Sequence, residues 1–231
     1  MTRRQKLFIA GTDTDAGKTL IACGVLEAAR QQGLRTLALK PVAAGAEPVD
    51  GELRNDDALA LMSAMSEPMS YEQVNPVVFA EPIAPHIAAE RAGRRLSAAQ
   101  LAGYCRGAMM RPADLLLVEG AGGWRVPLNQ RETLADLVIE LNLPVVLVVG
   151  MKLGCINHAL LSAEAIRGDG LPLAGWVANR VDPEMARFDE NLETLKAMLP
   201  APCLGVVPHL GKGASGVDVA PFINLAALQI P

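Results

Sequence analysis

Residues 11–19, with the sequence GTDTDAGKT, contain the residue types that bind a nucleoside triphosphate. They follow a short apolar run and open a helical pattern, which is the setting of a phosphate-binding loop, although an ordinary glycine-rich turn is the alternative. In such a loop, backbone N–H groups and the positive end of the helix hold phosphate oxygens. Lys18 would reach the outer phosphates, and the Thr19 hydroxyl would bind Mg²⁺. The loop departs from the usual pattern, because Thr12 stands where glycine is expected and Gly11 comes one position earlier.

Acidic residues supply the candidate metal ligands. Glu119 ends the apolar run DLLLVE, so a strand would deliver its carboxylate to the carboxyl edge of a parallel sheet, although a surface or helix-capping glutamate is the alternative. Mg²⁺ keeps several waters, so Thr19 and one or two carboxylates suffice. Asp56 and Asp57 begin a helix, where the helix dipole alone explains acidic residues, and either could also reach the metal. Glycines that give the backbone access to phosphate follow Glu119: Gly120, Gly122 and Gly123.

Three further positions lie where apolar runs end or helices begin. Lys40 would point to the crevice where α/β proteins bind ligands and could stabilise a transferred phosphoryl group, unless it is a solvated strand-end lysine. The Asn179 amide, in the segment NRVD, suits a purine edge, and a capping asparagine explains it equally well. Gly154 precedes a helix whose free N–H groups could hold a carboxylate. His86 and His158 are interpreted as packing or surface residues.

The candidate residues lie at the ends of short apolar runs that alternate with helical patterns. Most runs lack polar alternation, as strands covered on both faces do. About six alternations predict a doubly wound α/β fold, a mostly parallel sheet with helices on both faces, in the three-layer sandwich of P-loop NTPases. The predicted strands span residues 6–10, 36–40, 115–119, 145–150, 173–179 and 204–207, and the predicted helices span residues 18–32, 56–65, 97–110, 133–141, 155–167 and 184–199.

Two segments, residues 41–55 and 66–95, fit this alternation least well. The first is rich in glycine, proline and acidic residues, and the second contains four well-spaced prolines. Long irregular stretches in a compact domain are usually binding loops or disordered segments, and that is the expectation for both. Because no repeat or change of composition divides the chain, we expect one nucleotide-binding catalytic domain over residues 1–231.

Composition and charge exclude several classes of function. With 21 basic and 25 acidic residues the chain has no overall attraction to nucleic acid or anionic membranes, and 3% aromatic residues cannot form a base-stacking surface. Four widely spaced cysteines without a C-x-x-C pair predict neither a zinc knuckle nor a disulfide framework. The apolar stretches at 7–10 and 143–149 are shorter than the ~7–15 residues of a signal-peptide core and the ~20 of a membrane span, respectively. We therefore expect a cytoplasmic protein that binds neither nucleic acid nor membrane.

Together these motifs resemble the dethiobiotin synthetase family over nearly the whole chain. GTDT-x-x-GKT combined with KPVA and VEGAGG is far more specific than a phosphate-binding loop alone. The segments that carry the resemblance occur in the family's order and spacing: GTDTDAGKT (11–19), LKPVAAG (39–45), LRNDDALAL (53–61), NPVVFAEPIAPH (75–86), LVEGAGGW (117–124), VVGMKLGCINHA (148–159), AGWVANRV (174–181) and FINLAAL (222–228).

The resemblance implies an ATP- and Mg²⁺-dependent ligase of biotin synthesis. Its substrate is 7,8-diaminononanoate (diaminopelargonate), which with CO₂ gives dethiobiotin, ADP and phosphate through a carbamate and a carbamic-phosphoric anhydride. It also implies a homodimer with the substrate site at the interface. By similarity, Lys18 and Lys40 are catalytic and contact the carbamate and the γ-phosphate. The implied metal ligands are Thr19, Asp57 and Glu119.

The same resemblance carries over a wider set of binding residues. The implied nucleotide contacts are Asp15, Ala16, Gly17, Lys18, Thr19, Leu20, Asp57, Glu119, Gly120, Ala121, Gly122, Asn179, Arg180, Pro208, His209 and Leu210. The implied substrate contacts are Thr12, Lys40, Ala44, Gly154, Cys155 and Asn157. Ala44 replaces a serine that is common in the family, and Asp15 replaces a glutamate. Neither change removes a phosphate or metal ligand, so we expect altered substrate affinity rather than lost chemistry.

Three other functions compete with this interpretation. Partitioning and positioning ATPases carry a second lysine six positions before the loop lysine, where this chain has Thr12, and no basic amphipathic tail follows to hold a membrane. A GTPase is suggested because NRVD resembles the guanine-reading N-K-x-D with Arg180 for lysine, but the wider motif set favours adenine. A nucleotide-binding adaptor without enzymatic activity is the third alternative.

Overall fold

Residues 4–228, which the computed structural model describes, form short apolar strands and intervening helices. Residues 1–3 and 229–231 lie outside this range. The strands are β1 (Gln5–Gly11), β2 (Thr36–Leu39), β3 (Val42–Ala44), β4 (Glu47–Val49), β5 (Glu52–Arg54), β6 (Val77–Phe79), β7 (Leu115–Glu119), β8 (Val145–Gly150), β9 (Leu173–Asn179) and β10 (Cys203–Val207).

Six of these strands form one parallel sheet in the order β10-β9-β8-β1-β7-β2. Every residue of β7 and β8 is buried because helices cover both faces of the sheet, as the apolar runs predict. The register pairs Ile9 with Glu119 on β7 and Gly150 with Asn179 on β9. The sheet therefore brings the carboxyl ends of β1, β7, β8 and β9 to one edge, where the candidate site residues lie.

The helices agree with the sequence pattern for the longer elements. They are α1 (Lys18–Gln31), α2 (Asp56–Ala64), α3 (Tyr71–Val74), α4 (Pro85–Arg91), α5 (Ala98–Met109), α6 (Leu134–Leu141), α7 (Cys155–Gly168), α8 (Phe188–Met198) and α9 (Gly216–Val219). The helix predicted from residue 184 begins only at Phe188, because Arg187 has left-handed backbone angles with φ 56°. Within residues 4–228, every helix is too short or too polar to cross a lipid bilayer.

Segments 41–55 and 66–95, which the sequence predicted to be binding loops or disordered chain, contain regular elements in the structure and are not disordered. β3 pairs in parallel with β6, and β4 pairs with β5 through a hairpin whose turn residues, Asp50 and Gly51, both have positive φ. This is the turn chemistry that an Asp-Gly pair favours between two short strands. Val42, Val77 and Phe79 pack with α5 and α6 in a second, smaller hydrophobic cluster. These segments are therefore an ordered layer beside the main sheet.

Close packing of α1 against α9 gives a first prediction. A Cβ atom at Gly24, in the middle of α1, would overlap the Val219 side chain on α9, whereas Gly103 on α5 has open space around it. Gly24→Ala should lower the free energy of unfolding by about 1 to 2 kcal/mol through overpacking, despite the better helix propensity of alanine. The matched control Gly103→Ala should raise it by about 0.5 to 1 kcal/mol. Urea denaturation of both variants measures the two changes in the free energy of unfolding. An equal increase in both variants would show that the α1–α9 contact can accommodate a methyl group.

Candidate active site

The phosphate-binding loop has a shape that only glycine permits at two positions. β1 ends at Gly11, and α1 begins at Lys18 after Gly17, which has φ +83°. A Cβ atom at Gly17 would also overlap the amide nitrogen of Asn179. At Gly11 a Cβ atom would lie 2.9 Å from the Asp13 carbonyl oxygen and 3.0 Å from Lys18 Cγ. The glycine displaced by one position relative to the usual motif therefore makes room for the Lys18 side chain.

Lys18 lies buried under its own loop. Its ammonium donates to the carbonyl oxygens of Asp13 at 3.2 Å and Thr14 at 3.4 Å. Burial, followed by the nearby charge of Lys40, lowers the pKa of Lys18, and the carboxylate of Glu119 offsets part of this effect. These loop carbonyls are weak partners for an ammonium group compared with phosphate oxygens. Lys18 is thus placed to exchange the carbonyl oxygens for a phosphate.

Lys40 is the centre of a buried group of charges. It follows β2 directly, and its Nζ lies 2.5 Å from Glu119 Oε1, 2.8 Å from Asp57 Oδ2 and 3.2 Å from the Gly120 carbonyl oxygen. The Thr19 hydroxyl donates to the same Glu119 oxygen at 2.8 Å. Lys40 is 3% exposed and Glu119 1%. The Asp57 side chain is 45% exposed, so solvent screens its charge. The buried Lys40–Glu119 pair is screened far less, and these two charges therefore depend on one another.

The pKa shifts in this group follow from its charges. Burial alone would lower the pKa of Lys40, but the carboxylates of Glu119 and Asp57 outweigh it and raise the pKa above its usual value. For Asp57, burial would raise the pKa, but the Lys40 ammonium outweighs it and lowers the pKa. Lys40 is therefore a fixed cation rather than a proton acceptor at neutral pH.

One oxygen of this cluster has no partner. Glu119 Oε2 is buried and accepts no hydrogen bond within the described part of the chain. A buried carboxylate oxygen without a partner is costly, and a hard cation would satisfy it. No group of three or more His, Cys, Asp or Glu side chains within residues 4–228 could hold a metal. One hydroxyl and two carboxylates, from Thr19, Asp57 and Glu119, fit Mg²⁺, which completes its coordination with water and phosphate.

A cavity of about 810 Å³ opens beside this cluster. Small-molecule sites usually enclose roughly 300–1,000 Å³, so the cavity is large enough for a nucleotide portion and a second ligand. It brings together most of the predicted residues of the loop and the charge cluster: Asp15, Gly17, Lys18, Thr19, Leu20, Lys40, Ala44, Asp57, Ala121 and Gly122.

The rest of the cavity lining consists of residues that the sequence analysis did not assign as individual contacts, including Thr14 of the loop itself. They are Thr14, Ala43, Asn55, Pro82, Ile83, Ala84, Pro85, Arg125, Val126 and Pro127. The proline content of segment 66–95 did mark it as a candidate binding loop, so a signal existed for the segment but not for its individual residues. Arg125 carried no such signal, since its position depends on an ion pair of 2.8 Å with Asp169 at the end of α7.

The residues assigned to adenine lie at the ends of β9 and β10, next to the loop and outside the lining of the cavity. The buried Asn179 amide donates to the Ala16 carbonyl oxygen at 2.9 Å, so it braces the loop. The Arg180 guanidinium lies over the Phe188 ring at 4.9 Å from its centroid. The His209 ring nitrogen lies 3.2 Å from the Arg180 carbonyl oxygen. Pro208 and His209 are exposed, and Leu210 is half-buried.

The remaining predicted substrate contacts lie away from the cavity of this chain. The Thr12 hydroxyl accepts a hydrogen bond from the Gly150 N–H at 3.2 Å. Gly154 and Asn157 are exposed at the start of α7, and Cys155 is buried there. Of the six predicted substrate contacts, Lys40 and Ala44 line the cavity.

Comparison with known proteins gives close relatives over the full chain. A profile of the AAA domain family matches residues 5–214. The ATP-dependent dethiobiotin synthetase BioD of Cellvibrio japonicus is 58% identical over 226 residues, which cover 96% of this chain and 99% of that protein. The protein of the same name from Pseudomonas aeruginosa strain UCBPP-PA14 is 61% identical over 223 residues, which cover 96% and 97%.

Solved structures of distant proteins share the fold. The septum site-determining protein MinD of Pyrococcus horikoshii, complexed with Mg-ADP, superposes with a TM-score of 0.60 at 14% identity, covering 98% of this chain and 94% of that one. The chloroplast FtsY of Physcomitrella patens gives a TM-score of 0.54 at 18% identity, covering 99% and 66%. At these identities the likeness concerns the fold alone, and it confirms the predicted doubly wound, P-loop NTPase-like sandwich.

The buried charge cluster gives a second prediction. Glu119→Gln keeps the shape of the side chain but removes the carboxylate, so Lys18 and Lys40 lose a buried counter-charge. Breaking a buried ion pair in this way should cost about 3 to 5 kcal/mol in the free energy of unfolding. The matched control is Glu193→Gln, because Glu193 pairs with Lys196 at 2.8 Å on the exposed face of α8, and it should change stability by less than about 1 kcal/mol.

Denaturant titration with and without millimolar Mg²⁺ measures both variants. With ADP present throughout, added Mg²⁺ should stabilise the wild-type chain and Glu193→Gln more than Glu119→Gln, because that variant lacks the carboxylate with its unpartnered oxygen Oε2. Equal stability of the two variants would mean that the Glu119 charge contributes nothing in the folded protein.

Proposed function

Since this chain belongs to the dethiobiotin synthetase family, we propose that the cavity beside Lys18 and Lys40 is its catalytic site. The chain is an ATP-dependent ligase that closes a ring on diaminopelargonate with CO₂ to give dethiobiotin in biotin synthesis. The observation that carries the proposed site is that two buried ammonium groups, of Lys18 and Lys40, line one cavity, with the buried Glu119 carboxylate directly behind Lys40. Such a pocket suits a reaction in which negative charge moves between a carboxylate and a phosphate.

The proposed reaction has three steps. First, one amine nitrogen of the substrate forms a bond to the carbon of CO₂ and loses a proton, which gives a carbamate. Second, a carbamate oxygen attacks the γ-phosphorus of ATP, the bond to the ADP oxygen breaks, and a carbamic-phosphoric anhydride forms. Third, the second amine attacks the carbonyl carbon, phosphate leaves with the bonding electrons, and a proton is lost as the urea ring closes. Phosphorylation is needed because an oxide is a poor leaving group and phosphate a good one.

Lys40 and Lys18 serve this sequence as fixed positive charges. Lys40 keeps its proton because Glu119 and Asp57 raise its pKa, so it would stabilise the carbamate and the transferred phosphoryl group by charge rather than by proton transfer. Lys18 would leave the carbonyl oxygens of Asp13 and Thr14 for the phosphates of ATP. The two residues thereby hold the reacting oxygen and phosphorus in line and neutralise their charge.

We propose that Thr19, Asp57 and Glu119 hold Mg²⁺ when ATP is bound. The support is the unpartnered Glu119 Oε2 and the preference of Mg²⁺ for few protein oxygens. A magnesium ion held by these residues would neutralise charge on the phosphates of ATP. The nucleotide itself would be held by residues 15–20 and 119–122, with its adenine beside Asn179, Arg180 and residues 208–210.

We also propose a homodimer with the substrate site at the interface. Gly154, Cys155 and Asn157 at the start of α7 do not line the cavity of their own chain, so a second copy would have to supply them. Leu153 beside them is 94% exposed, which is unusual for a large apolar side chain and is explained if a partner covers it. Within the cavity Ala44 offers no hydroxyl to the substrate.

The remaining proposals concern the chain as a whole. We propose that residues 1–231 form one catalytic domain, because Leu141 packs against both hydrophobic clusters and so joins the second layer to the main sheet. We propose that the protein works in the cytoplasm and binds neither nucleic acid nor membrane. Its four free cysteine thiols and its net charge of −4 support this proposal.

A turnover assay tests the function directly. Purified protein with Mg-ATP should release ADP in a one-to-one ratio with dethiobiotin when diaminopelargonate and bicarbonate are both supplied, and ADP release should be near background when either is left out. Mass spectrometry of the product and a coupled ADP assay measure the two yields. ADP release that ignores the diamine would favour a nucleotide-driven switch instead.

A substitution tests the proposed role of Lys40. Lys40→Leu should lower kcat by about 100-fold or more, the usual effect of losing one charge that stabilises the transition state. Lys196→Leu is the matched control, because Lys196 lies on the exposed face of α8 and pairs with Glu193, and it should leave kcat unchanged. Rates are normalised to the folded fraction from circular dichroism. Wild-type turnover by Lys40→Leu would remove Lys40 from the catalytic site.

A further inference from the structure

A chain of hydrogen bonds joins the backbone of Lys40 to the start of α2, the helix that carries Asp57. Asn75 Nδ2 donates to the Lys40 carbonyl oxygen at 2.6 Å. The Tyr71 hydroxyl donates to Asn75 Oδ1 at 2.9 Å, and the Asn55 backbone N–H donates to the Tyr71 oxygen at 2.7 Å. Asn55 precedes α2 as its N-cap residue. Three polar residues therefore connect Lys40 to the helix that carries Asp57.

All three residues of this path, Asn55, Tyr71 and Asn75, are buried. The Tyr71 hydroxyl both donates and accepts, and the Asn75 amide also donates to the Val77 carbonyl oxygen at 3.2 Å. The Asn55 side chain caps α2 by accepting from the Ala58 N–H at 3.3 Å. A buried network whose members are all satisfied holds one arrangement of the groups that it joins.

No regular element in the described chain links Lys40 to Asp57 directly. β2 ends at Leu39 and α2 begins at Asp56, and the β4–β5 hairpin lies between them. The Lys40 N–H donates to the Val74 carbonyl oxygen at 2.8 Å, so α3 and the residue after it hold both polar backbone groups of Lys40. The 2.8 Å contact between Lys40 Nζ and Asp57 Oδ2 thus depends on α3, and α3 begins with Tyr71.

We propose that Tyr71 is a positioning residue for the reaction, which sets the place of Lys40 relative to Asp57 through Asn75 and Asn55. The inference rests on the proposed function, in which Lys40 and Asp57 act on the same phosphate and metal. Tyr71 does not line the cavity, so it acts through these residues and not on the substrate. Loss of its hydroxyl leaves the Asn75 oxygen and the Asn55 N–H without a partner and frees the two charged residues to shift.

The chain offers a matched pair of variants, because it contains two tyrosines. Tyr71→Phe removes the hydroxyl and keeps the ring, over which the Arg54 guanidinium lies at 4.2 Å. Tyr104→Phe removes a half-exposed hydroxyl that accepts from the Gln100 side chain at 3.3 Å on α5. Both are compared with the wild-type chain below their measured melting temperatures, so that only folded protein is assayed.

Two readouts separate positioning from a general loss of stability. Tyr71→Phe should lower kcat by about 10- to 100-fold, the range seen when a residue that orients a metal or catalytic group is lost. Calorimetric titration with ADP should give the wild-type dissociation constant without Mg²⁺, but the gain in affinity on adding Mg²⁺ should shrink by several-fold. Tyr104→Phe should match the wild type in both measurements.

The kcat of Tyr71→Phe and its Mg²⁺ effect on ADP affinity decide the inference. Wild-type values for Tyr71→Phe would overturn the inference, and so would a lower kcat with an unchanged Mg²⁺ effect, which indicates a merely structural hydroxyl. If Tyr71→Phe does not fold at the assay temperature, Asn75→Ser carries the same test, because it removes the amide that donates to Lys40 and leaves Tyr71 in place. Absence of dethiobiotin formation by the wild-type chain would instead refute the proposed function.

Discussion

The ion pair between Lys40 and Glu119 is the interaction on which the arrangement of the site depends. Two opposite charges removed from water are stable only with close contact and further hydrogen bonds, and the Thr19 hydroxyl and the Gly120 carbonyl oxygen supply these. The parallel sheet makes the pair possible, because β2 and β7 are neighbours and end at the same edge. A lysine and a glutamate far apart in the sequence thereby meet at a buried position beside the cavity, where their charges are screened less than at the surface.

The shape of the loop beside this pair depends on two glycines that let neighbouring groups approach closely. Gly17 leaves room for Asn179, whose amide in turn fixes the Ala16 carbonyl oxygen, and Gly11 leaves room for the stem of Lys18. The Asn179–Ala16 hydrogen bond thus connects β9 to the loop. The glycine at position 11, one residue earlier than in the usual motif, suits this loop. A side chain at position 11 would crowd Lys18, so glycine is needed there and not at position 12.

The sequence predicted the parts of the site that belong to regular strand–loop–helix units. Lys18 and Thr19 open the helix that follows β1, and Glu119 ends β7, so their common edge followed from the fold class. Tyr71, Asn75 and Asn55 could not be predicted, because their hydrogen bonds join separate irregular segments and depend on tertiary packing. The β4–β5 hairpin could have been predicted, because an Asp-Gly pair between two short strands favours a hairpin turn. The interpretation of residues 41–55 did not use this pair.

The division of the cavity between two layers explains how one fold can support this reaction. One side of the cavity comes from the loop and the charge cluster at the edge of the sheet. Proteins such as MinD and FtsY share this fold at 14–18% identity, and a shared fold does not imply a shared reaction. The facing wall comes from the ordered layer of residues 41–95 and from the turn after β7, including Ala44, Pro82 and Arg125. We infer that this wall helps to distinguish a diamine from other acceptors, together with the contacts that a second copy of the chain would supply. The hydrogen bonds of Tyr71, Asn75 and Asn55 attach part of this wall to Lys40.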